Sequence, residues 1–138
     1  MHTTQIQVRF NGADALGHIN NSVYFNYFDL GKTDYFRSLH GKNYFLDPID
    51  IIIAHVDADF VAPSFLHEQL AVQSEITKIG NKSMTLFQQI VDLKTNTVKC
   101  HCNTIMVGYD FENKCTIPIS QKWRDAIEKN YAVRHKIR

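Results

Sequence analysis

The sequence predicts an α+β domain in which an antiparallel sheet covers one long, predominantly apolar helix. Three observations carry this: a short alternating segment near the start, an apolar stretch without alternation over about 21–40, and four alternating runs between residues 51 and 109. The chain of 138 residues fits a single domain spanning 1–138, and 44% hydrophobic residues with 21% charged ones are those of an ordinary core.

Ile6, Val8 and Phe10 alternate with Gln5, Gln7 and Arg9, the pattern of an opening strand with one wet face. Asn11-Gly12-Ala13 reads as a break. From Ser22 the apolar residues crowd through Val23, Tyr24, Phe25, Tyr27, Phe28 and Leu30 to Leu39, which predicts a helix over about 21–40 that is mostly buried. Its polar positions Asn26, Asp29, Thr33 and Arg37 fall at spacings of three, four and four, one narrow stripe. Gly31 weakens a helix at mid-segment, and close approach of a neighbouring element is a reason to keep it. His40-Gly41 supplies a stop.

Ile51 to Val61 is β-branched and alternating, with Ile52, Ala54, Val56, Ala58 and Phe60 on one side and His55, Asp57 and Asp59 on the other; Pro63 ends it. Those two aspartates face away from the apolar side, which fits surface or dimer-edge roles better than a site. A strand continues to Ile79, Gly80-Asn81 turns the chain, and Met84, Leu86 and Ile90 mark the return to Asp92. A last strand over about Val98–Tyr109 follows the polar turn 94–97, and a helix is expected from Ser120 to about Asn130, with the basic tail 131–138 solvated. The expected order is β-α-β-β-β-β-α with about five strands. The helix has only the concave face of the sheet to bury against, and that is the hotdog arrangement.

Fifteen Lys and Arg against fourteen Asp and Glu give no reason to expect nucleic acid as a partner. No apolar run is long enough for a membrane span, and the first residues do not read as a targeting segment, so a cytoplasmic protein is expected. Cys100, Cys102 and Cys115 lack the paired spacing of a zinc site; no metal or disulfide framework is expected, and Cys100 and Cys102 read as small buried hydrophobes with His101 on the opposite face.

Asp14-Ala15-Leu16-Gly17-His18-Ile19-Asn20-Asn21 packs a carboxylate, an imidazole and two amides between a strand and a buried helix. Each has an ordinary role available: Asp14 in an Asx-turn, His18 as a structural histidine, Asn20 or Asn21 as helix cap. Together with Val8-Arg9-Phe10, Tyr24 and Tyr27-Phe28, however, this run resembles the signature of the hotdog acyl-CoA thioesterases of the 4-hydroxybenzoyl-CoA thioesterase and YbgC type. Asp59-Phe60-Val61-x-Pro63, Lys78-Ile79-Gly80-x-Lys82-Ser83 and Pro118 with Trp123 agree with that family in order and spacing.

The resemblance implies hydrolysis of an acyl-CoA thioester without metal or cofactor, in a homodimer or homotetramer with sites at the subunit boundary. It implies Asp14 as nucleophile or general base, and the helix start near Asn21 as the group that polarises the carbonyl; His18 and Asn20 are supporting candidates. Unpaired amides at a helix N-terminus are aimed at the charge a thioester carbonyl acquires. Tyr24 and Phe28 are candidates for shaping the acyl pocket, and Lys82, Lys78 and Ser83 for contacts to the CoA phosphates. Many relatives carry a second acidic residue where this chain has Gly12, which bears on substrate preference and loop behaviour. An acyl-carrier protein in place of CoA, a non-catalytic acyl-binding module, and a hydratase using Asp14 and His18 are the alternatives.

Overall fold

The computed structural model describes residues 1–9, 13, 16–41 and 49–136, the last six as backbone only. Its elements are β1 (His2–Gln5), α1 (Asn21–His40), β2 (Ile51–Phe60), β3 (Leu70–Ile79), β4 (Ser83–Asp92), β5 (Thr97–Asp110), β6 (Cys115–Thr116) and α2 (Gln121–Lys136). The strands form one six-stranded sheet in the order β1-β3-β4-β5-β2, with the two-residue β6 paired to β5. Pairing is antiparallel, as in His2 opposite Ser74 and Tyr109 opposite Thr116. Contacts group the chain into two compact units, 1–35 with 57–75 and 87–103, and 36–56 with 76–86 and 104–138.

The first unit holds a core cluster of Ile19, Tyr24, Tyr27, Phe28, Leu70, Val72, Ile90, Cys100 and Cys102, with Ile6, Val8 and Ala58 packed against it. Gly31 of α1 fits where a Cβ would lie 2.5 Å from Val72 Cγ1, so the close approach expected from the sequence is real. Beside it the buried Gln88 carboxamide donates to the Phe28 carbonyl at 2.9 Å and to Ser74 Oγ at 3.0 Å, tying α1 to the sheet. His2 and Thr4 both reach the Asp34 carboxylate, at 2.6 and 2.7 Å.

In the second unit Trp123 is the anchor. It is 1% exposed, donates its indole N–H to Asp50 at 3.0 Å, and meets Phe36 and His40 edge-on. The β3–β4 turn closes with the Gly80 amide on the Ser83 carbonyl at 2.7 Å, and Arg124 caps it by donating to the Gly80 and Asn81 carbonyls. Gly108 is needed because a Cβ there would strike the Ile117 carbonyl. Gly41 ends α1 with φ of 92° and its amide on the Arg37 carbonyl.

Four expectations need correction. The opening ladder lies at His2–Gln5, not over 6–9: among the described residues only the Ile6 amide continues it, to the Leu70 carbonyl, because β3 begins there. Ile6 and Val8 still alternate inward, so the period reported burial rather than pairing; Phe10 lies outside the described residues. The helix is not mostly buried. Asn26, Asp29, Thr33 and Arg37 are exposed as their stripe requires, but so are Phe25 (42%) and Leu30 (59%), because only one face meets the sheet. The strand β6 was not foreseen, since two residues carry no periodicity, and α2 continues to Lys136 rather than ending near Asn130, with no Gly or Pro beyond that point to stop it.

Candidate active site

A cavity of about 440 Å³ opens in the first unit, lined by His18, Ile19, Asn20, Asn21 and Tyr24 on one side and by Phe60, Val61, Ala62 and Pro63 on the other. The first wall is the start of α1. Asn20 is its N-cap: the side-chain Oδ1 accepts the Ser22 amide at 3.0 Å and the Ser22 hydroxyl at 2.9 Å, while its carbonyl accepts the Val23 amide at 2.9 Å. With those amides taken, the Asn21 amide is the first of the helix without an acceptor among the described residues. Such groups, aligned with the helix dipole, favour an anion in front of them.

The second wall is the segment that leaves β2. Val61 and Ala62 both donate their amides to the Lys99 carbonyl, at 2.9 and 3.0 Å. The Lys99 ammonium is itself buried, donating to the Pro63 carbonyl at 3.1 Å and pairing with Glu68 at 2.7 Å; the other oxygen of Glu68 accepts the Phe65 amide at 2.7 Å. One buried ion pair therefore fixes the backbone from 61 to 65.

Ser64 joins the two walls. It is fully buried; its carbonyl accepts the Ile19 amide at 2.8 Å and its hydroxyl accepts the Tyr24 hydroxyl at 2.7 Å. Burial raises the Tyr24 phenol above its ordinary value, so Tyr24 is a neutral hydrogen-bond donor here and not a base. His18 sits beside this joint, paired through its backbone with Phe65 and edge-on to the Phe65 ring at 4.9 Å. Phe60 extends the lining outward, with Tyr24 and Phe25 at ring separations of 5.7 and 6.4 Å.

Of the residues singled out from the sequence, the cavity brings together His18, Asn20, Asn21 and Tyr24. Asp14 lies outside the described residues; Ala13 and Ile19, which pair across a bridge, flank its segment in the chain. Phe28 does not line the cavity: it is 4% exposed and belongs to the core cluster. Lys82 and Ser83 belong to the second unit, at the β3–β4 turn, where the Lys82 carbonyl accepts the Gly108 amide. Cys100 is no nucleophile, because burial pushes its thiol up to about 12. Among the described residues no group of three or more His, Cys, Asp or Glu is placed to hold a metal ion, and no helix is long and apolar enough to cross a membrane.

Sequence reasoning missed Ser64, Glu68 and Lys99. The readable signal was Lys99, a lysine that sits directly before Cys100 in an apolar strand and is 6% exposed. A buried lysine requires a carboxylate partner.

Comparison with known proteins places this architecture. The model of the thioesterase-like superfamily matches residues 8–127, and the chain belongs to that superfamily. The acyl-CoA thioester hydrolase YbgC of Escherichia coli O6:H1 is 23% identical over 133 residues, covering 95% of this chain and 92% of that protein. Among solved structures, one described as a predicted thioesterase from Bacillus stearothermophilus superposes with a TM-score of 0.81 at 24% identity, covering 92% and 93% of the two chains. A thioesterase from Thermus thermophilus, complexed with coenzyme A and zinc, gives 0.80 at 20% identity, covering 92% and 91%. The fold is that of the hotdog thioesterases.

Proposed function

We propose that the protein hydrolyses an acyl-CoA thioester to the free acid and CoA in the cavity at the start of α1. The observation that carries this is the capped helix N-terminus facing that cavity, in a chain of the thioesterase-like superfamily. The thioester carbonyl is oriented toward the Asn21 amide, which stabilises the oxyanion of the tetrahedral intermediate. Asp14 attacks the carbonyl carbon or takes the proton of an attacking water. Tyr24, held by Ser64, and Phe60 form walls beside the acyl group, and His18, which lines the same cavity, is assigned to orienting Asp14 or the thioester. Lys82 and Ser83 are assigned to the CoA phosphates. The long exposed edge strand β2 supports a homodimer as the active form.

Thiol release measured over short, medium, long and aromatic acyl-CoAs tests the reading. Turnover on at least one class is expected, falling roughly 10²–10⁴-fold in Asp14→Asn with the thermal midpoint unchanged. Undiminished turnover in Asp14→Asn would remove that residue from the chemistry. Saturable binding of acyl-CoA with no thiol released anywhere in the panel would replace hydrolysis by a binding module.

A further inference from the structure

Two short pieces of chain meet beside the cavity, 18–19 at the entry to α1 and 64–65 beyond β2. His18 and Phe65 form an isolated antiparallel bridge, and next to it the Ile19 amide donates to the Ser64 carbonyl at 2.8 Å. Residues directly opposite one another in such a pairing point their side chains to the same side, and the next pair along points to the other. Ile19 and Ser64 are turned into the core, at 4% and 0% exposed. His18 and Phe65 must then share the opposite side, where their rings meet edge-on at 4.9 Å. The backbone pairing sets this contact before any rotamer is chosen.

Phe65 is itself held firmly. Its amide donates to Glu68 Oε1 at 2.7 Å, and its carbonyl accepts the Glu68 amide at 3.1 Å, so the two residues close a turn on each other. The second oxygen of Glu68 pairs with the buried Lys99 ammonium at 2.7 Å, which also donates to the Pro63 carbonyl. The exposed His67 ring stacks on Phe65, with centroids 5.9 Å apart and planes at 21°. A half-buried aromatic ring anchored in this way is a fixed surface. His18, which lines the cavity beside Asn20 and Asn21, has two side-chain torsions to settle, and an edge contact with such a surface favours one setting over the others. An imidazole kept in one orientation is within reach of a bound thioester for more of the time than one free to turn.

We infer that Phe65 is a positioning residue: its ring sets the orientation in which His18 presents its imidazole to the cavity, and the buried Lys99–Glu68 pair serves the site by fixing Phe65. This role rests on the thioester hydrolysis proposed above. It gives the buried charge a task beyond holding the cavity wall, and it makes a specific demand, because a group that acts through another has nothing further to contribute once that other is gone.

Thiol release by Phe65→Leu, Phe65→Tyr, His18→Gln and the double variant His18→Gln with Phe65→Leu tests this, with the thermal midpoint of each as the check on folding. Phe65→Leu keeps an apolar side chain and removes the ring, so kcat should fall roughly tenfold with KM within about threefold of the wild-type value. Phe65→Met removes the ring equally and takes its place if Phe65→Leu does not fold. Phe65→Tyr keeps the ring and should hold kcat within about twofold of wild type. His18→Gln should lose at least as much as Phe65→Leu, and the double variant should match His18→Gln to within about twofold. Losses that multiply in the double variant, or full turnover in His18→Gln, overturn the role. Nuclear magnetic resonance supplies a reading independent of activity. The ring protons of His18, assigned by their absence in His18→Gln, should shift in Phe65→Leu and stay near their wild-type positions in Phe65→Tyr. His18 resonances unmoved by Phe65→Leu overturn the positioning whatever the turnover. A wild-type chain that releases no thiol from any acyl-CoA, while Phe65→Leu still moves the His18 resonances, overturns the hydrolysis reading and leaves the ring contact standing.

Discussion

The two walls of the cavity are held by opposite means. The wall from Phe60 to Pro63 depends on a lysine and a glutamate buried beneath it, so its backbone is fixed by charge in a place where charge is costly. The wall from Asn20 to Tyr24 depends on a solvent-exposed carboxamide that caps a helix, a neutral and local contact. The difference teaches where each can fail. Losing one partner of the buried pair leaves an uncompensated ion, whereas losing the cap leaves amides that water can reach.

The largest effect should therefore come from Lys99→Met. It leaves the buried Glu68 carboxyl without its cationic partner, with Asp92 close by, and removes the donor to the Pro63 carbonyl. A loss of about 3–5 kcal/mol in urea unfolding is expected, with impaired turnover in whatever remains folded. Adding Glu68→Gln sharpens the comparison. The double variant keeps an acceptor for the Phe65 amide but has no unpaired charge from this pair, so it should regain a large part of the lost stability; no recovery would mean that the wall is not held by charge.

A middle effect belongs to the joint between the walls. Tyr24→Phe keeps the ring in the core and deletes only the hydroxyl that donates to Ser64. Because Ser64 is fully buried, no bulk water replaces the lost donor, and a cost of about 1–2 kcal/mol is expected from the same denaturation measurement. If Tyr24→Phe costs as little as an exposed substitution, the walls are joined by the Ile19 amide on the Ser64 carbonyl and not by the hydroxyl pair.

Much of the fold was legible because its signals are periodic. The bounds of α1, the β3–β4 hairpin with its Gly80 turn, and the burial of Cys100 and Cys102 follow from spacing and turn chemistry read along the chain. Periodicity does not say which strand ends the sheet. The residues of β2 alternate as cleanly as those of β4, yet β4 is central and buries Met84, Leu86, Gln88 and Ile90, while β2 leaves Ile52, Val56 and Phe60 exposed. The residues that the cavity brings together were singled out where they lie side by side in sequence, as His18 to Tyr24 do. Ser64 and Glu68 were not, because each acts on a backbone group or side chain distant in sequence, and neither was Lys99, which stands out only as a lysine in an apolar strand until the assembled sheet buries it. Phe28 and Tyr24 share one core cluster, yet only Tyr24 also lines the cavity, a difference that motif position does not carry.

The smallest effect tests the helix wall alone. Asn20→Ala deletes the acceptor shared by the Ser22 amide and hydroxyl, and an exposed cap of this kind is worth about 1 kcal/mol. Stability should fall by no more than that. Activity should fall further than stability suggests, because the Ser22 amide is freed one residue from the proposed oxyanion donor and the first turn of α1 is left to fray. Thiol release at saturating substrate and at low substrate separates the two roles: a lower kcat with KM nearly unchanged places the helix start at the transition state, while a raised KM with kcat preserved makes it only part of the binding wall. Asn20→Asp, which caps as well but sets a carboxylate beside the developing oxyanion, should keep the stability and still lose turnover.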